Sequence, residues 1–128
     1  MRYLTLEEVL ALHDYQIIRF GGSHGLISLP LLESALTRPK TNISGMEMYA
    51  SVFEKAAVLA FSIIKNHPFL DGNKRTGLHA ALTFIELNGF NVKMSSKVLV
   101  KLGLDIANNV LDISDAVALF KKYSHDSS

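Results

Sequence analysis

A single all-α domain of about six helices is what this sequence predicts, and three observations carry that reading. Apolar residues recur at helical spacing along most of the chain. Residues that start and stop helices punctuate those stretches at matching positions. No apolar–polar alternation runs longer than a few residues, so a half-buried sheet has little to build from. At 128 residues and 48% apolar composition, the chain suits one domain with one substantial core, without linker, repeat or low-complexity segment.

The first helix is predicted over residues 5–20. Thr5-Leu6-Glu7-Glu8 fits a capping box, and Leu6, Val9, Leu10, Leu12, His13, Ile17 and Phe20 recur at helical spacing behind it. Gly21-Gly22-Ser23-His24-Gly25 reads as a loop, because its three glycines favour positive-φ turns. Pro30 suits the first turn of a short second helix to about residue 37, with Ser28 as its cap. Arg38-Pro39 stops it, and residues 40–45 read as a polar loop or small hairpin.

A third helix is predicted over about residues 47–66, with Val52, Phe53, Ala56, Ala57, Leu59, Ala60, Ile63 and Ile64 on a wide apolar face. Pro68 disfavours helical geometry at His67 and ends it. A fourth helix is expected over about residues 73–88, apolar nearly all round and stopped by Gly89. Ser95 or Ser96 can cap a fifth helix to about residue 109, and Ser114 a sixth to about residue 123. Residues 124–128 read as a frayed, disordered tail.

Several function classes recede on composition alone. A net charge of +1 creates no global field toward nucleic acid or an anionic membrane, so no direct nucleic-acid partner is expected. The absence of cysteine excludes disulfides, thiolate chemistry and Cys-based zinc sites. No uncharged apolar run could span a bilayer, and two acids interrupt the first eight residues where a signal-peptide core would continue. A cytoplasmic protein without membrane contact is therefore expected.

The chemistry concentrates in His67-Pro68-Phe69-Leu70-Asp71-Gly72-Asn73-Lys74-Arg75-Thr76, a loop between the two most apolar helices. At the N-terminus of a buried helix, the amides of Gly72, Asn73 and Lys74 face no intrahelical acceptor, and the helix dipole adds positive potential: a ready anion site. Arg75 supplies a guanidinium that can fork onto phosphate, Lys74 a mobile charge, and the Asn73 carboxamide a donor to a phosphate oxygen. Asp71 offers a hard oxygen suited to Mg²⁺, which binds through one or two carboxylates plus nucleotide phosphates. An imidazole titrates near neutrality, so His67 can accept the proton of an attacking hydroxyl. Phe69 is expected to point inward and pin the loop.

Taken singly, each has an ordinary structural explanation. A helix-end His caps, Asp-Gly turns, and Lys-Arg is solvated. Their order together points to polyphosphate binding beside a base. Gly-x-x-x-x-Gly-Lys-Ser/Thr and His-Glu-x-x-His are absent, and His13, His24, His79 and His125 are too scattered to suggest a metal cluster. His79, one turn beyond Arg75, is read as a half-buried His that could support the site.

This loop resembles the signature of the Fic/Doc family, His-Pro-Phe-x-Asp/Glu-Gly-Asn-x-Arg, at every fixed position. Gly21 to Gly25, Leu31-Leu32-Glu33-Ser34-Ala35-Leu36, Arg38-Pro39 and Glu86-Leu87-Asn88-Gly89-Phe90 are similar to the Doc (death-on-curing) branch, extending the likeness over nearly the whole chain. The resemblance implies a helical toxin of a toxin–antitoxin pair, with His67 as general base, Asp71 on Mg²⁺, and Asn73 and Arg75 on ATP phosphates. A flap that docks the target in extended form would fall at about residues 40–48. The family's intrachain inhibitory motif, Ser/Thr-x-x-x-Glu-Gly/Asn, is absent, so restraint by a separate Phd-type antitoxin is implied.

Three departures bear on the subclass. AMP-transferring Fic enzymes usually carry Gly where this chain has Lys74 and a second Arg where it has Leu78; both changes look like the Doc branch. That branch transfers the γ-phosphate of ATP to a hydroxyl of the translation factor EF-Tu. Ile27-Ser28 replaces an Arg-Asp pair common in Doc relatives. The resemblance thus implies a Doc-type Ser/Thr protein kinase that blocks translation, with AMP transfer by the same loop, or a degenerate binding module, as alternatives.

Overall fold

Val52–Asn66 (α3) runs through the middle of the molecule, with every position from Lys55 to Ile64 buried. The computed structural model describes residues 1–127. Against α3 pack α2 (Leu29–Thr37), α4 (Asn73–Leu87), α5 (Ser96–Ala107) and α6 (Ile113–Lys122), while α1 (Leu6–Phe20) packs on α4. Among the described residues the domain is helical, with six α-helices, a short 3-10 turn at Arg38–Lys40 and only short strands. Among the described residues, no helix is long and apolar enough to cross a membrane.

The closest pairing is α3 against α4, and Gly77 permits it. A Cβ there would meet Ile64 Cγ1 at 3.0 Å and the Ala60 carbonyl at 3.1 Å. Ile63, Phe84, Ile85, Leu102, Ile106 and Phe120 form the shared core at no more than 2% exposure. Each such side chain contributes about 1.5–3 kcal/mol of transfer free energy. This packing fixes the two helix ends between which the motif loop is strung.

Capping sets the helix boundaries. Thr5 and Glu8 form the expected box at α1, and Ser28 accepts from Leu31 N at 3.2 Å to open α2. Helix α3 begins at Val52 rather than near residue 47, because Ser51 caps it by accepting from Glu54 N. The residues before it form a hairpin, β1 (Asn42–Ile43) with β2 (Met46–Glu47). Helix α6 is capped not by Ser114 but by Asp112, in a box with Asp115; Ser114 donates to Asp112 instead.

The frayed-tail expectation for residues 124–128 is corrected over the described part. Ser124–Asp126 forms β4, antiparallel to β3 (Phe90–Val92), and Ser127 N donates to Gly89 O. Phe90 and Val92 turn half-inward while Asn91 stays out, an alternation too short to read as a strand. The Phe90 ring lies 4.9 Å from that of Phe53, which ties the small sheet to α3. Ser128 lies outside the described residues.

Candidate functional site

His67 terminates α3 in a left-handed conformation, φ 51° and ψ 54°, with its N–H bonded to Ile63 O. That geometry is costly for a residue with a Cβ, about 1–2 kcal/mol, and turns the chain sharply away from the helix axis. The exposed imidazole has no hydrogen-bond partner among the described residues, so it is free to meet a ligand. Pro68 follows, and its carbonyl accepts from both Ile27 N at 2.7 Å and Ser28 N at 3.1 Å. Leu70 N donates to Gly25 O at 2.9 Å, so residues 25–28 run alongside the motif loop.

Phe69 is the loop's buried pin, stacked face to face on the His13 ring at 3.8 Å and 6°. Asn73 lies across from it and holds its backbone: Phe69 N donates to Asn73 Oδ1 at 3.0 Å, and Asn73 Nδ2 donates to Phe69 O at 2.9 Å. The expected use of the Asn73 carboxamide differs here. It closes the loop from a buried position rather than reaching toward a ligand.

Gly72 caps α4 in a left-handed conformation, φ 78°, where a Cβ would meet Ile17 Cδ1 at 3.1 Å. Thr76 N is the first amide of α4 to reach back, to Gly72 O. Among the described residues no protein acceptor is assigned to the amides of Asn73, Lys74 and Arg75, the first-turn donors that make a helix start attractive to anions. The Gly72 amide, expected in this set, is engaged by Asp71 Oδ1 at 3.0 Å. Asp71 Oδ2 accepts from Ser23 N at 3.2 Å, which brings the 21–25 loop to the site; a Cβ on Gly22 would strike that oxygen at 2.7 Å.

Two cavities flank this helix start. The smaller, about 280 Å³, is bordered by His67, Asp71, Gly72, Asn73 and Lys74, with Lys65 and Ala107 on its far wall. Lys65 Nζ bonds Asn109 Oδ1 and so joins α3 to the turn after α5. The larger, about 420 Å³, lies between Phe20, α4 and α5, and contains Arg75, Leu78 and His79. Asp71 through Lys74 form the ridge between them. Arg75 thus stands in the larger cavity, its guanidinium 4.6 Å from the Phe20 ring, and not beside His67.

Position 78 is closed by packing. Leu78 is buried against Gly103 of α5, where a Cβ would meet Leu78 Cδ1 at 3.2 Å and Lys74 Cβ at 3.3 Å. His79 is half-buried; burial first, and the nearby Arg75 charge second, push its pKa below the ordinary value. Sequence reasoning missed His13, whose Nε2 lies 2.8 Å from Asp71 O. Its signal was a titratable ring within an apolar stripe.

Asp71 fits a hard cation in chemistry. Its exposed carboxylate oxygens each accept one backbone amide and retain lone pairs for a metal that also takes phosphate oxygens. Lys65, Lys74 and Arg75 supply positive charge around it.

An exposed imidazole and the start of a helix whose first amides have no protein acceptor among the described residues thus line one cavity of a helical domain. The family model described as the Fic/DOC family matches residues 3–85. The chain is 37% identical over 108 residues to "Toxin Doc" of Mycolicibacterium smegmatis, covering 84% of this chain and 79% of that protein. It is 31% identical over 122 residues to "Protein kinase doc" of Escherichia phage P1, covering 95% of each. This chain belongs to the Fic/Doc family.

Proposed function

We propose that this protein is a Doc-type toxin acting as a Ser/Thr protein kinase. One observation carries the reading: His67, Asp71, Asn73 and Lys74 border a single cavity, the last two contributing unpaired amides of the α4 start. A hydroxyl entering it would lose its proton to the His67 imidazole. Its oxygen bonds to the γ-phosphorus of ATP as the bond from that phosphorus to the bridging oxygen breaks, and ADP leaves. Lys74 and the amides of Asn73, Lys74 and Arg75 balance charge on the phosphate chain. Asp71 would hold Mg²⁺, which supplies neutralisation of the polyphosphate when bound.

The names of the two relatives support toxin and kinase and imply an antitoxin partner; one of the Phd type is proposed. Leu78 favours phosphate over AMP transfer, because it fills with apolar packing the position where AMP-transferring relatives carry a second Arg. A translation factor similar to EF-Tu is the proposed substrate, and the cytoplasm the proposed location.

The test uses ATP labelled at the α or the γ phosphate, with an EF-Tu preparation as acceptor. Label from the γ position alone, reduced roughly 10²–10⁴-fold in His67→Ala, is the expected result. Label arriving only from the α position would replace the kinase by an AMP transferase. No transfer from either position to any cellular protein would leave the binding-module reading.

A further inference from the structure

We propose that His13 is a positioning residue that sets the orientation of Asp71. A carbonyl oxygen only accepts, so the 2.8 Å contact with Asp71 O requires a protonated His13 Nε2 that donates to it. The ring is 3% exposed and lies flat on Phe69, leaving it little freedom to turn. Among the described residues, it is the one side chain from outside the motif that hydrogen-bonds the backbone of residues 67–72.

Each oxygen of Asp71 is thereby held from a different segment: O by α1, Oδ2 by Ser23 N, and Oδ1 by Gly72 N. The carbonyl belongs to the peptide unit joining Asp71 to Gly72. Anchoring it fixes the rotation that aims both the carboxylate and the first turn of α4. His13 and Ile17 are one helical turn apart, and Ile17 Cδ1 blocks Gly72 from the same side. Helix α1 therefore serves as the template on which the loop is set, although its sequence lies 58 residues away.

The consequence for metal and nucleotide rests on the kinase reading; the consequence for Asp71 does not. Two variants separate donor from ring. His13→Phe keeps a ring on Phe69 and removes the donor, whereas His13→Gln keeps a donor and removes the ring. In His13→Phe, the Ser23 and Gly72 amide resonances should shift and exchange faster with solvent. Mg²⁺-supported ATP affinity should fall about 3–10-fold, the worth of one hydrogen bond, with Mg²⁺-free ATP affinity unchanged. His13→Gln should stay close to wild type on each measure.

Unmoved Ser23 and Gly72 amides in His13→Phe, or equal impairment of both variants, would overturn the proposal. Should His13→Phe not fold, those amides in His13→Gln decide: wild-type positions support the role and displaced ones overturn it. If wild-type protein binds no Mg·ATP while the amides still move in His13→Phe, the kinase reading falls and the positioning role stands.

Discussion

Asn73 and Phe69 form a closed pair, in which one carboxamide satisfies both the N–H and the C=O of the same residue, at 3.0 and 2.9 Å. The pair fixes the turn leading into α4 from a buried position. Asn73→Ala would strand two buried backbone groups and is expected to cost about 2–4 kcal/mol. Urea unfolding and ATP titration of the variant should show stability and affinity falling together. Loss of affinity at unchanged stability would instead make the carboxamide a ligand contact.

Phe20 supports Arg75 from below, with the guanidinium 4.6 Å from the ring centroid. A partly exposed cation–π contact is worth about 0.5–1 kcal/mol. Phe20→Ala should therefore weaken ATP binding about 2–5-fold by calorimetry, through a less ordered Arg75. Unfolding of the variant should change little, since Phe20 is half exposed. Unaltered affinity would show that Arg75 needs no platform.

Lys55 anchors the hairpin. Its ammonium is buried, 3.1 Å from Pro39 O and 2.9 Å from Glu47 Oε1 of β2. Burial draws its pKa down, but Glu47 and Tyr3 outweigh that and leave it raised. A raised lysine stabilises fully below its unfolded value, about 10.4, and loses that contribution only as pH climbs through the folded value. Its contribution is thus constant near neutrality. Lys55→Met should cost about 1–3 kcal/mol, because the Pro39 carbonyl loses its donor. Faster exchange of the Met48 amide, which now bonds Thr41 O at 2.9 Å, would report the loosened hairpin.

His79 should make the protein sensitive to mild acid. Its folded pKa is lowered by burial and then by Arg75. As pH drops through about 6.5, the unfolded chain takes up the proton first and stability declines, levelling off once pH passes below the folded value. Asp71, Lys74 and Arg75 border the same cavity, so the comparison must be differential. Between pH 7.5 and 5.5, wild type should lose more unfolding free energy than His79→Gln. Equal losses would assign the acid response elsewhere.

Local chemistry made much of this molecule readable before its structure. Thr5 with Glu8, Ser28, and Pro68 after His67 act within one turn, so their spacing alone marks helix boundaries. Asp112 with Asp115 was equally local, but the neighbouring Ser114 offered a competing cap. Strands β3 and β4 were not readable, since three residues of alternation gain meaning only when a partner is known. The order of residues 67–75 carried the family resemblance but not where its side chains point. Asn73 turns inward to Phe69 and Arg75 turns toward Phe20, both decided by tertiary packing. His13 is the sharpest case, because its partner is distant in sequence and is a main-chain carbonyl, which leaves no residue-type signature.

Lys74 lines both cavities. An occupant that drew its ammonium to one side would withhold it from the other, and the two cavities would then be thermodynamically linked. Linkage is reciprocal: whatever factor the first occupant removes from the second's affinity, the second removes from the first's. The ridge between the cavities would then work as a balance, the reach of one side chain setting how strongly either side is felt by the other.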